Sequence, residues 1–217
     1  NQTITFDGSG DKTCPAISDA SLDIVVNKSS SGSVTFSGTC SFDEFTVSDG
    51  KAAIGTNTVT CDNTVSIADG KELEIGTGTF NADGTFNANT SGILDFTGAG
   101  KLILSSSVTS LGTLDAAAGT VEYDGADDQT VLGDTYYNLE MDGDGSGNKS
   151  AGGNVNVNGT FTVDANCQRY RTASYTTTVT GATDINSILK INNAAGVFDA
   201  DGDFDADGAT INFSQDG

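Results

Sequence analysis

An all-β solenoid is the fold class that this sequence predicts, and three observations lead to it. Apolar and polar residues alternate over short stretches such as residues 3–6 and 33–36, as in strands that bury one face. Glycine is frequent, with 28 residues, whereas a helical period never extends beyond one turn. Similar segments also recur at fixed distances, which indicates a stack of repeated coils.

The shorter repeat sets the length of one coil. Residues 45–51 and 65–71 have matching patterns, FTVSDGK and VSIADGK, at an offset of twenty residues. In a solenoid each coil turns its apolar alternate residues inward and buries them against the next coil, about 4.8 Å away. The repeat therefore predicts parallel strands, coils of about twenty residues, and Val47 stacked near Ile67.

A longer repeat indicates an internal duplication. Three blocks of the first half recur in the same order in the second half: residues 4–13 at 121–130, residues 32–39 at 153–160, and residues 78–88 at 196–206. An insertion around residues 143–150 shifts the register between the first two blocks. The duplication predicts two β units, residues 1–120 and 121–217. Two antiparallel β-sandwiches, which also use short alternating strands, are the alternative architecture.

The charge balance bears on partners and location. Thirty acidic residues against nine basic ones give a net charge of -21, which repels nucleic acid and anionic lipid and attracts cations. No apolar run approaches the ~20 residues that span a bilayer, so we expect no membrane insertion. The first residue is Asn1 and no basic, apolar leader follows, which fits a processed secreted protein or an excised segment. We expect an extracellular location.

Catalytic chemistry is poorly represented. The chain has no histidine, which excludes Ser-His-Asp and Cys-His arrangements and imidazole bases. Polysaccharide-cleaving β-helix enzymes combine carboxylates with His, Lys or Arg, and Arg169 and Arg171 are the only arginines here. We therefore predict that the protein is not an enzyme, with polysaccharide cleavage as the least favoured reading.

The densest polar feature is an aspartate row near the end of the chain, with its members at every second position: Asp199, Asp201, Asp203, Asp205 and Asp207. On one strand these carboxylates would share a face, and oxygen ligands at this density suit Ca²⁺. The pattern from Asp203 to Gly208 also resembles the opening of an EF-hand loop, but Ser214 stands where the closing glutamate should be. A solvated outer face is the alternative interpretation. Asp142 and Asp144 form a weaker second candidate.

Four cysteines in a secreted chain predict oxidised pairs. Cys40 and Cys61 lie twenty-one residues apart, close to one coil length, and we therefore predict a disulfide between them. The pairing of Cys14 and Cys167 is left open.

Both ends of the sequence have strand character, which predicts self-association. An uncapped solenoid exposes unpaired strand edges and core residues, here the set Gln2, Ile4, Phe6, Ile211 and Phe213. The tail, residues 211–217, followed directly by the head, residues 1–4, reproduces the pattern of residues 121–131. We therefore predict head-to-tail association, either as a homopolymer or within a longer tandem chain.

Three short segments resemble the repeats of large bacterial cell-surface and adhesin-type β-solenoid proteins: residues 119–125, 128–131 and 135–139. The resemblance implies a structural module of an extracellular filament, surface layer or adhesin stalk. The alternative function is a calcium-dependent glycan-binding module that uses Asp and Tyr surfaces.

Overall fold

A computed structural model describes residues 1–29 and 31–214. Within this part of the chain every regular element is a β-strand. The strands form an all-β solenoid of about ten coils of roughly 21 residues, counted over two compact units, Asn1–Gly119 and Thr120–Gly217. The predicted fold class is confirmed, and the antiparallel alternative is wrong because the strand pairs that define the sheets are parallel.

The first unit contains seventeen strands. In chain order they are β1 (Gln2–Gly8), β2 (Lys12–Cys14), β3 (Ile17–Asp19), β4 (Leu22–Lys28), β5 (Ser33–Phe36), β6 (Cys40–Phe42), β7 (Phe45–Asp49), β8 (Lys51–Ala53), β9 (Thr58–Cys61), β10 (Val65–Ile67), β11 (Glu72–Ile75), β12 (Thr79–Ala82), β13 (Phe86–Asn87), β14 (Ile93–Phe96), β15 (Lys101–Leu104), β16 (Val108–Ser110) and β17 (Thr113–Asp115).

The first five coils of the first unit each contribute one strand to each of three sheets, and the last coil contributes β16 and β17 to two of them. Sheet A has the order β1-β4-β7-β10-β13-β16, sheet B has β2-β5-β8-β11-β14-β17, and sheet C has β3-β6-β9-β12-β15. Every third strand in the sequence is thus a neighbour in space, which is the topology of a three-sided solenoid.

The second unit contains fourteen strands. They are β18 (Thr120–Tyr123), β19 (Gln129–Val131), β20 (Thr135–Tyr136), β21 (Asn138–Met141), β22 (Asn148–Ala151), β23 (Val155–Val157), β24 (Phe161–Val163), β25 (Arg169–Arg171), β26 (Thr176–Val179), β27 (Thr183–Ile185), β28 (Ile188–Ile191), β29 (Val197–Ala200), β30 (Phe204–Asp205) and β31 (Thr210–Phe213).

These strands also form three sides. Sheet D has the order β18-β21-β24-β27-β30, sheet E has β19-β22-β25-β28-β31, and sheet F has β20-β23-β26-β29. The chain passes through D, E and F in each coil, as it passes through A, B and C in the first unit.

The core of each unit consists of continuous inward rows. On sheet A the residues that follow Ile24 in one row are Phe45, Val65 and Phe86, all fully buried. Val47 pairs with Ile67 as the twenty-residue repeat predicts. Because strand side chains alternate, the apolar positions of every coil meet those of the next coil and build one dry interior.

The duplication in sequence is not matched by sheet position. The second and third blocks lie on two different sheets in the first unit, B for residues 33–36 and C for Phe80. Their counterparts in the second unit, residues 155–157 and Phe198, lie on the same sheet, F.

Candidate functional site

The aspartate row of residues 199–207 does not form one strand, which corrects the expectation of a shared face. β29 belongs to sheet F and pairs with β26, whereas β30 belongs to sheet D and pairs with β27. The corner between them lies at Gly202, where a Cβ atom would be 2.1 Å from the carbonyl oxygen of Gly181 in the previous coil. This corner separates Asp199 from Asp205 onto different sides of the unit.

Three of the five aspartates stay near each other. Asp203, Asp205 and Asp207, together with Asp184, line an open hollow of about 610 Å³ whose wall includes the exposed ring of Phe204. One Asp205 carboxylate oxygen accepts a hydrogen bond from the main-chain N–H of Asp207 at 3.0 Å. Among the described residues, the three carboxylates that converge within 4.8 Å of one another lie elsewhere.

That convergent group is a cluster on the outer face of sheet B, formed by Glu72, Glu74 and Asp95, each partly exposed. Glu72 and Glu74 flank the buried Leu73 on β11. Asp95 lies on β14 in the next coil, where it pairs with Glu74. We missed this cluster in the sequence. The signal was the alternation of Glu72 and Glu74 combined with an acidic residue one coil later at position 95.

A lysine already neutralises part of this cluster. The Lys51 ammonium forms ion pairs with Glu72, at 3.0 Å, and with Glu74. Asp95 keeps a pKa above its usual value because of partial burial first and then the negative charges of Glu72 and Asp115. The cluster offers the oxygen ligands that hard cations prefer, and Lys51 competes with any such cation for the two glutamates.

The weaker candidate, Asp142 and Asp144, lies near a buried lysine, Lys149. Lys149 is fully buried on β22, and its Nζ donates to the carbonyl oxygen of Gly125 and, at 2.7 Å, to the side-chain oxygen of Gln129. Both aspartates act on this ammonium electrostatically. Asp144 also accepts hydrogen bonds from Ser146, which lower its pKa. The negative charges of Asp142 and Asp144 are thus partly balanced by Lys149.

The four cysteines are buried free thiols, and the predicted Cys40–Cys61 pair is wrong in register. Cys40 pairs with Val59, while Cys61 pairs with Phe42, because the coil between β6 and β9 is nineteen residues long. The two cysteines are therefore two positions apart along neighbouring strands. Strand spacing and rise place their Cα atoms about 8 Å apart, beyond the ~7 Å that a disulfide spans.

The residues predicted for self-association lie on the outermost described coils. Gln2, Ile4 and Phe6 on β1 pair with Leu22, Ile24 and Val26, and therefore continue the inner row of sheet A. Ile211 and Phe213 on β31 continue the inner row of sheet E and pair with Leu189 and Ile191.

The sequence likeness between the tail and residues 121–131 is not matched in sheet position. Ile211 lies on sheet E, whereas its counterpart Val121 lies on sheet D. Residues 215–217, which belong to this comparison, lie outside the described residues.

Comparisons with known protein families, curated proteins and solved structures found no match. Within the described residues, no helix has the length and apolar character needed to cross a bilayer. The fold defines the class of protein as a β-solenoid.

Proposed function

We propose that this chain is a structural module of an extracellular filament, surface layer or adhesin stalk, and that it associates head to tail through its outermost coils. The observation that carries the proposal is the exposure of core rows on those coils. Ile4 is 39% exposed, whereas Ile24, the next residue in its row, is fully buried. The inner row of sheet A is therefore buried at β4 but exposed to solvent at β1.

The last described strands of the second unit show the same property. Phe213 on β31 is 75% exposed and Phe204 on β30 is 47% exposed, and both continue inner rows, whereas Val197 on β29, 45% exposed, faces outward beside the inward Phe198. Each of these three strands has a neighbour on one side only within the described chain. Large apolar side chains and unpaired main-chain groups are thus exposed together, a combination that favours pairing with another strand.

A further coil supplied by a second copy would satisfy both requirements. Parallel strand addition would pair the free N–H and C=O groups of β29–β31 with those of β1–β3, and apolar rows would become continuous. The contact is heterologous, since one end binds the other, and such a contact propagates into an open fibre. The adhesin-like segments support the extracellular setting.

Complementary end variants test the proposal. Ile4→Lys blocks the β1 end, and Phe213→Lys blocks the β31 end. Sedimentation velocity should show concentration-dependent oligomers for the wild type and monomers for either variant alone. An equimolar mixture of the two variants should form dimers and stop there, because one intact end of each kind remains.

The matched control is Tyr137→Lys, which adds the same charge at another exposed aromatic side chain, and it should assemble like the wild type. Monomeric wild-type protein at every concentration would contradict head-to-tail association. Oligomers that persist in both end variants would place the contact on another surface.

A calcium-dependent glycan-binding module is the second candidate. The hollow beside Phe204 favours it, because an exposed ring next to Asp184, Asp203, Asp205 and Asp207 combines a surface for sugar stacking with oxygen ligands. Calorimetric titration with Ca²⁺ alone tests for the cation site. A glycan array with and without Ca²⁺ then tests for glycan binding. Asp203→Asn combined with Asp205→Asn should abolish any signal, and the absence of a signal in the wild type would exclude the candidate.

A further inference from the structure

Cys14 and Cys40 lie on either side of the same corner in two successive coils. Cys14 ends β2 on sheet B, and Cys40 begins β6 on sheet C of the next coil. The corner of the first coil is stacked on that of the second, since a Cβ atom at Gly38 would be 3.0 Å from the side chain of Ala16. Cys14 therefore lies just before the corner in the first coil, and Cys40 lies just after the corresponding corner in the second coil.

Their sulfur atoms share one acceptor. The Cys14 thiol donates to the carbonyl oxygen of Pro15 at 3.6 Å, and the Cys40 thiol donates to the same oxygen at 3.4 Å. Cys40 also lies 3.5 Å from the carbonyl oxygen of Gly38. Burial raises the pKa of Cys14 to about 12, and the charge and hydrogen bond of the neighbouring Cys40 thiol add to this rise.

The other two cysteines have different surroundings. Cys61 lies at the opposite end of its strand, where its thiol donates to the carbonyl oxygens of Asp43 at 3.2 Å and Thr64 at 3.6 Å. Cys167 belongs to the second unit and lies near Lys149. The adjacency of two buried thiols on one carbonyl group is therefore specific to Cys14 and Cys40.

We propose that Cys14 and Cys40 are a disulfide-forming pair that joins the first two coils in an oxidising environment. Each sulfur loses its proton, one S–S bond forms, and two electrons pass to a low-molecular-weight disulfide, which is reduced to two thiols. The reaction proceeds through a mixed disulfide on one cysteine, which the other cysteine resolves. Both thiols are buried in the folded protein, so the exchange occurs during folding or when the first coil opens.

Tryptic mapping tests this pairing directly, because the lysines and arginines place every cysteine in a separate peptide: residues 13–28, 29–51, 52–71 and 150–169. The protein is refolded in a glutathione redox buffer, alkylated, digested without reduction and analysed by mass spectrometry. We expect the peptides 13–28 and 29–51 to be joined with the loss of two hydrogens, and the other two to be alkylated.

A thermal measurement complements the map. A disulfide that closes the loop between Cys14 and Cys40 should raise the unfolding midpoint of the oxidised protein above that of the reduced protein by roughly 5–10 °C. Cys40→Ser should remove that difference, whereas the matched control Cys61→Ala should keep it. Free thiols at Cys14 and Cys40 after oxidative refolding, or either of them joined to Cys61 or Cys167, would overturn the proposal. If a variant fails to fold, the wild-type map alone decides.

Discussion

The Lys28 ammonium donates a hydrogen bond of 2.5 Å to the main-chain carbonyl oxygen of Asp7, one coil earlier. Lys149 repeats this contact in the second unit with the carbonyl oxygen of Gly125. Both lysines are fully buried. A buried ammonium must satisfy its donors within the protein. Each unit therefore uses an interior lysine to fix the chain at a coil corner.

Replacing Lys149 by methionine should destabilise the protein. The change keeps the apolar stem but removes the donor to the carbonyl oxygen of Gly125, and an acceptor left without its donor typically costs about 1–3 kcal/mol. The Gln129 side-chain oxygen keeps its other donor, the main-chain N–H of Gly125, at 2.8 Å. Urea unfolding followed by circular dichroism measures the loss. The control is Lys12→Met, at an exposed lysine, which should unfold like the wild type. Equal stability of the two variants would contradict the role of Lys149.

The contribution of Lys149 should also depend on pH. Burial lowers its pKa below the ordinary 10.5. Between the lowered value and 10.5 the unfolded chain binds more protons than the folded chain, so the stability gained through this group rises with pH. The free energy of unfolding of the wild type minus that of Lys149→Met should therefore increase as the pH approaches 10.5. A difference that falls with pH would refute this sign.

The interior tyrosines should resist ionisation until the protein unfolds. Burial raises the pKa of Tyr123 to about 12, and burial also raises the pKa of Tyr136 and Tyr170. The Tyr136 hydroxyl donates to the carbonyl oxygen of Leu132 at 2.7 Å. Because these folded-state pKa values are raised, the associated stability is present below pH 10 and is lost as the pH rises through them.

Ultraviolet absorbance during an alkaline titration measures this behaviour. The ionisation of Tyr123, Tyr136 and Tyr170 should coincide with the loss of the circular dichroism signal, because all three are buried. Tyr123→Phe should reduce the absorbance change that accompanies unfolding. Ionisation of these three tyrosines in a protein that is still folded would contradict the prediction.

A methyl group at Gly84 should disturb the stacking of corners. A Cβ atom there would lie 2.1 Å from the carbonyl oxygen of Asn63 in the previous coil, so the two corners must separate. We expect Gly84→Ala to cost about 1–3 kcal/mol, the range for overpacked sites. Gly10→Ala is the control, since no atom lies within 4 Å of its Cβ position. Thermal unfolding compares the two, and equal midpoints would contradict the prediction.

Neutralising Asp95 should stabilise the first unit at neutral pH. Its raised pKa means that the folded state favours the protonated form, and stability therefore falls as the pH rises from the usual 3.8 through the raised value. Asp95→Asn should exceed the wild type in stability at pH 7, and the two should converge at pH 3. Asp127→Asn, at an exposed carboxylate, is the control for a general charge effect.

The sequence contained enough information for the fold because strand formation and coil length are local properties. The alternation of apolar and polar residues decides which side chains in 45–47 and 65–67 face inward. The twenty-residue repeat decides that these two strands stack, as the pairing of Val47 with Ile67 shows. The Glu72, Glu74 and Asp95 cluster could have been found by the same reasoning, since its members are one strand alternation and one coil apart.

The sequence by itself determined the fold class and the inward positions of strands such as residues 45–47 and 65–67. The tertiary structure alone decided the contacts that depend on the length of a particular coil or on the place of a particular corner. Because the coil between β6 and β9 has nineteen residues, Cys61 does not pair with Cys40. The corner at Gly202 places the aspartate row on two different sheets. Alternation repeats every two residues wherever a strand occurs, but register depends on the length and packing of each corner, and those are settled only when one coil lies against another.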